Sequence, residues 1–168
     1  MTKHDSEKAA KGQRGEEALN EWLQIEGLPY LHVGQSPDTF STLFPDVVKR
    51  PDFLILLQSL GMIAVDAKNY QFSGGVFTLN LDQEFRKMIT FERLFRIPVW
   101  FAYMHERGKK WYWISGLKAV EVGEVRVKNK TNEKFLALHL ADFAEISSSK
   151  DLGKLYTMKI GSLERIAE

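Results

Sequence analysis

Cysteine is missing altogether from this chain of 168 residues. That single absence excludes disulfide frameworks, thiolate zinc sites and cysteine nucleophiles, and it fits a reducing compartment. Long apolar runs are missing too, since none approaches the roughly 20 residues that span a bilayer. The opening "MTKHDSEKAAKGQRGEE" is too polar for a secretory signal. A cytoplasmic protein with no membrane partner is therefore expected. Histidine is sparse, and His4, His32, His105 and His139 show neither metal-ligand spacing nor a Ser-His-Asp arrangement. Gly74 and Gly75 make a turn, and nothing around them resembles a phosphate loop. Three of the five prolines fall in "QSPDTFSTLFPDVVKRP", residues 35–51, which reads as a long loop with room for a helical turn.

Net charge is nearly absent at +1, but it is unevenly distributed. Residues 1–85 carry 7 basic and 12 acidic groups, a balance of −5, and residues 86–168 carry 16 and 10, a balance of +6. Such a division suits a site that holds a cation beside a polyanion, although ordinary solvated faces produce it as well. The length suits one domain, 1–168, with a core large enough to fold alone.

The elements follow from periodicity. A helix is predicted from about Ser6 to Glu26, with Leu19, Trp22 and Leu23 as its apolar stripe and Gly27 as its stop. "LPYLHVG" gives a short strand, and strands follow at 52–58 and 62–69, joined at Leu60-Gly61. After an extended piece at "VFTLN", Asn80 or Asp82 can cap a second helix that runs to about Arg96. Pro98 ends it and opens "PVWFAYMH", and "WYWISGL" is a further strand. "VEVGEVRVK" and "FLALHL" read as strands, "SSSKDLGK" as a loop and "SLERIAE" as a terminal helical turn. The order implies an α/β fold, a central mixed β-sheet flanked by helices.

Charge inside that sheet needs a reason. Side chains alternate along a strand, so Asp66 and Lys68 share a face while Val65 and Ala67 take the other. Asp52 opens the neighbouring strand and can lie across from Asp66. Burying one unpaired carboxylate costs several kcal/mol, and two close together repel unless a cation relieves them. Hard carboxylate oxygens beside a lysine suit magnesium and a phosphate. Glu16 lies three residues before Leu19 and seven before Leu23, at the rim of the buried helical stripe, and can reach the same site. A plainer reading has Asp52 capping a turn after Pro51 and Lys68 in a salt bridge with Asp66.

"PD", thirteen residues, then "DAK" resembles the signature of the PD-(D/E)XK nuclease superfamily. "KGQRGEEALNEWL" is similar to the opening of archaeal Holliday junction resolvases, and "MITFERLFRIPVWFAYMHERGKKWYWI" is similar to their later helix and strands. The resemblance covers about 8–117, leaving 118–168 as a C-terminal extension, and the loop 35–50 is longer than those resolvases carry. It implies a restriction-endonuclease-like core in which Asp52, Asp66 and the backbone carbonyl of Ala67 bind Mg2+, or Mn2+ in its place. Glu16 would complete that shell, and Lys68 would orient water and steady transition-state charge. Lys49, Arg50, Asn69, Arg86 and Lys87 would contact DNA. The implied function is a metal-dependent DNA endonuclease, acting on Holliday junctions or other branched DNA as a homodimer. A restriction-type or mobile-element endonuclease and an inactive DNA-binding module of the same fold stay open, as does an unrelated α/β domain. Trp100, Trp111, Tyr112 and Trp113 can stack on bases, but strand aromatics are more often core. Arg93 and Arg96 share the second helix and suit solvated surface as well as DNA.

Overall fold

Helix α1, Lys3–Ile25, lays Leu19, Trp22 and Leu23 into the core, as their three- and four-residue spacing dictates. It ends where Gly27 turns left-handed at φ +65° and the Leu28 N–H reaches back to the Leu23 carbonyl at 3.0 Å. In this computed structural model the described residues are 3–36, 38, 46–69, 72, 74–129 and 131–157. The side chains of residues 3–9, 106 and 157 lie outside the description.

A six-stranded mixed sheet forms the centre, in the order β1 (Tyr30–His32), β2 (Phe53–Leu57), β3 (Gly61–Lys68), β5 (Val99–His105), β6 (Lys110–Ser115) and β9 (Ala144–Ile146). The first three strands run antiparallel, with Phe53 opposite Val65 and Leu57 opposite Gly61. β3 and β5 are parallel, Asp66 standing beside Phe101. A parallel pair needs a crossover, which is supplied by β4 (Val76–Asn80), a π-helical turn (Leu81–Phe85) and α2 (Arg86–Phe95). Asn80 caps that turn, its Oδ1 accepting from the Gln83 N–H at 2.8 Å.

The alternation of β3 divides the core in two. Ile63, Val65 and Ala67 join the layer under α1, together with Trp100, Trp111 and Trp113. Ala64 faces the other layer, with Phe101, Tyr103, Met88 and Phe91. A second, three-stranded antiparallel sheet covers that layer: β4, β8 (Lys134–His139) and β7 (Glu124–Val127). The residues after Leu117 therefore serve both sheets, β8 pairing with β4 and β9 extending the central sheet beside β6. The three tryptophans of β5 and β6 are core residues, each no more than 8% exposed.

Several boundaries differ from the sequence reading. The stretch "VEVGEVRVK" is not a continuous strand: Gly116–Val122 is helix α3, capped by Ser115 Oγ on the Lys118 N–H, and only Glu124–Val127 is extended. The expected loop around residues 147–154 winds into a 3-10 turn, Ser149–Gly153, because Ser148 and Asp151 form a capping box ahead of α4, Lys154–Thr157. Helix α2 stops at Phe95, before Pro98 acts, because Arg96 turns left-handed at φ 58°. The terminal turn "SLERIAE" and residues 37, 39–45, 70, 71 and 73 lie outside the described residues.

Two glycines of α1 differ in what surrounds them. Nothing lies within 4 Å of a Cβ added at Gly12, whereas at Gly15 it would stand 3.1 Å from Asn69 Cβ and 3.3 Å from Asn69 N. Gly15 thus lets α1 settle against the end of β3. Gly12→Ala should raise stability by about 0.5–1 kcal/mol through helix propensity. Gly15→Ala should lower it by about 1 kcal/mol or more through overpacking against backbone. Thermal melts of the two variants check this, and a gain from both would refute the close approach.

Candidate functional site

The antiparallel register of β2 and β3, continued by one residue, sets Asp52 opposite Asp66 on a shared face. Backbone pairing holds Asp52 on both sides: its N–H donates to the Val65 carbonyl at 3.0 Å, and its carbonyl accepts from the Val33 N–H at 2.9 Å. Its Oδ2 accepts from the Ala67 N–H at 2.7 Å. A strand residue directs its N–H and C=O to the same side, so the Ala67 carbonyl also lies on the Asp52 edge.

Three charged side chains are buried here: Asp66 at 0% exposure, Lys68 at 4% and Asp52 at 5%. Asp66 stands between two lysines, with Lys49 Nζ 2.6 Å from Oδ1 and Lys68 Nζ 2.6 Å from Oδ2. Both carboxylate oxygens of Asp66 are thus covered by an ammonium group. Lys68 also meets Glu84 Oε1 at 2.5 Å, and Lys49 Nζ is 4.0 Å from the same oxygen. Two acids and two lysines thus alternate around a ring, with Asp52 and Glu16 as further carboxyls nearby. Glu16 is half-buried on α1, near enough to feel the charges of Lys49, Asp66 and Lys68. Gly15 and the bond from Asn69 Nδ2 to the Lys11 carbonyl, 3.0 Å, bring α1 to this end of the sheet.

The ring sets the protonation of its members. Burial pushes Asp66 towards neutrality, yet the charges of Lys49 and Lys68 together overcome that and hold its pKa below the usual value. Burial likewise opposes charge on Lys68, and Asp66 and Glu84 raise it well above the ordinary lysine value. Asp52 has no lysine of its own at contact. Burial, with Asp66 adding to it, pushes its carboxyl up to about 8. Burial also raises Glu16, against the pull of His32 and the lysines.

Among the described residues no group of three or more His, Asp or Glu is arranged to hold a metal ion as it stands. The donor chemistry nevertheless fits a hard cation: two buried carboxyls on adjacent strands and a carbonyl edge beside them. Lys49 covers Asp66 Oδ1.

The structure brings Glu16, Asp52, Asp66 and Lys68 together at the end of the central sheet. The residues expected to contact DNA are placed differently from one another. Lys49 belongs to the ring, and its N–H donates to the Lys87 carbonyl at 3.4 Å. Arg50 donates to the carbonyls of Ser36 and Gln35 at 2.9 and 2.6 Å, and Asn69 ties α1 to β3. Arg86 is exposed and pairs with Asp82 at 2.7 Å, and Lys87 is partly buried beside it on α2. Glu84 was not anticipated. It lies three residues after Leu81 and one before Phe85, both buried, so it sits at the rim of an apolar stripe as Glu16 does. The rule that picks out Glu16 also picks out Glu84.

No family model, curated protein or solved structure matches this chain. Among the described residues no helix is long and apolar enough to cross a membrane.

A carboxyl raised from 3.8 to about 8 costs the fold nothing at pH values where both states are protonated. The cost accrues as pH rises through about 4 and is complete above about 8. In metal-free buffer Asp52→Asn, which keeps an acceptor for the Ala67 N–H, should therefore raise the melting temperature more at pH 9 than at pH 5. Equal shifts at both values would show that the Asp52 carboxyl is not raised.

Proposed function

We propose that this chain is a metal-dependent endonuclease that hydrolyses phosphodiester bonds in DNA on a restriction-endonuclease-like core. The observation that carries the reading is the meeting of two buried carboxyls, Asp52 and Asp66, from adjacent strands, with Lys68 held 2.6 Å from one of them. A buried ion network contributes little to stability compared with apolar packing of the same volume, so chemistry is the better account of its presence. The element order also supports the reading: a helix bearing Glu16, three antiparallel strands, a helical crossover and a parallel strand.

In this reading Asp52, Asp66 and the Ala67 carbonyl hold Mg2+ or Mn2+, with Glu16 at the edge of the shell. The cation when bound polarises the phosphate and acidifies water. Lys68, fixed by Asp66 and Glu84, places a positive charge where charge grows on the phosphate oxygens. Arg86 and Lys87 flank the site on α2 and supply phosphate contacts. Branched or junction DNA is the proposed substrate and a homodimer the proposed assembly, because a junction needs two matched cuts. A second reading, an inactive DNA-binding module of this fold, is favoured by the neutral pairing of two acids with two lysines.

Labelled duplex, single-stranded, flap and four-way DNA, with and without Mg2+ or Mn2+, separates the two readings. Metal-dependent cleavage is expected. Lys68→Ala, assayed where circular dichroism shows it folded, should lose about 100- to 1000-fold in rate. Its DNA affinity should fall far less, because many phosphate contacts carry binding. Asp66→Asn should abolish cleavage together with the Mn2+-induced rise in melting temperature. Tight DNA binding without cleavage by the wild type under either metal would establish the inactive module.

A further inference from the structure

The two lysines of the ring are not equivalent, and their difference assigns a role to one of them. Lys68 is 4% exposed and in contact with two carboxylates, Asp66 Oδ2 and Glu84 Oε1, so it cannot leave without stranding charge on both. Lys49 is 31% exposed and in contact with one, Asp66 Oδ1 at 2.6 Å. It comes from the segment ahead of β2, outside regular secondary structure, and keeps part of its side chain exposed while it contacts Asp66. A second carboxylate oxygen, Glu84 Oε1, lies 4.0 Å from its Nζ.

We propose that Lys49 is an internal cation occupying the metal position on Asp66, and that Glu84 receives it when a divalent ion takes that position. The proposal rests on the metal-dependent reading above and adds a gate to it. The two occupants exclude each other by size and charge. A divalent ion bonds a carboxylate oxygen at about 2.0–2.1 Å for magnesium, and an ammonium group 2.6 Å from the same oxygen fills that approach. An ammonium and a divalent ion side by side would also repel strongly in so enclosed a place. Lys49 need travel only as far as Glu84, whose Oε2 is steadied by the Asn80 N–H at 3.4 Å. The π-helical turn Leu81–Phe85 is what presents Glu84 at that distance, and such turns recur at functional sites. Lys68 keeps its place throughout. The ring is therefore complete without metal, and the metal binds by exchange with Lys49.

Two measurements on the full chain test this without relying on cleavage. Titration calorimetry with Mn2+ compares wild type with Lys49→Met, which keeps the aliphatic stem and removes the charge. The variant should bind Mn2+ at least about 10-fold more tightly, while Lys49→Arg stays within about 3-fold of wild type. In the second measurement, wild-type protein is acylated at its amines with and without Mn2+ and read by mass spectrometry. Labelling of Lys49 should rise with Mn2+ occupancy, and that of Lys68 should stay low. This second readout holds even where Lys49→Met folds poorly. Equal or weaker Mn2+ binding by folded Lys49→Met, no Mn2+ binding by any form, or Lys49 labelling indifferent to Mn2+ would each overturn the proposal. Tighter binding and metal-dependent labelling in a protein that cuts no DNA would uphold the exchange and remove the nuclease reading alone.

Discussion

Asp66 is a carboxylate with no exposed surface, kept ionised by two lysines that contact its two oxygens. Much of the surrounding architecture exists to make that placement tolerable. An unpaired carboxylate at this depth would take up a proton or unfold its surroundings, so both lysines are needed and each must come from a defined direction. Lys68 arrives along the same strand by simple alternation. Lys49 arrives from the segment ahead of β2, anchored through its backbone to α2. Glu84, which keeps Lys68 from being over-committed to Asp66, arrives from the crossover.

Asp52 shows what happens without such support. It occupies a comparable depth, and its carboxyl accepts one hydrogen bond from a backbone N–H and is pushed up to about 8. Two acids on facing strands thus differ in protonation because of which lysines reach them. Environment, and not residue type, separates their chemistry. The surrounding protein has to supply three separate segments to create that difference.

Much of this was legible in the sequence. The face shared by Asp66 and Lys68 follows from a period of two, and the opposition of Asp52 follows from a hairpin whose turn at residues 58–60 fixes the register. The buried stripe of α1 and the rim position of Glu16 follow from helical spacing. What could not be read locally were contacts set by tertiary structure. Lys49 lies in a proline-flanked loop with no periodicity, so nothing in the sequence tells whether it faces solvent or Asp66. Helix α3 was masked by the β-branched residues of "KAVEVGEV", and its cap, Ser115, sits at the end of an aromatic strand pattern that favours extension. The mixed-sheet α/β architecture was legible from element order, but the second sheet was not, because its β4 and β8 are short and far apart in sequence.

That separation orders the assembly of the molecule. β4 has β8 as its strand neighbour, and Val76 meets His139 across more than sixty residues of chain. Glu84 follows β4 within a single turn, so its position depends on that late pairing. As the chain leaves the ribosome, α1 to β5 can form the central strands and bring Asp66 and Lys68 together before β8 has been made. Non-local pairing of this kind is slow to form, since a long loop must close first. The strand that leads into the Glu84 turn is therefore paired with one made much later, and the charged centre lies where early and late parts of the chain meet.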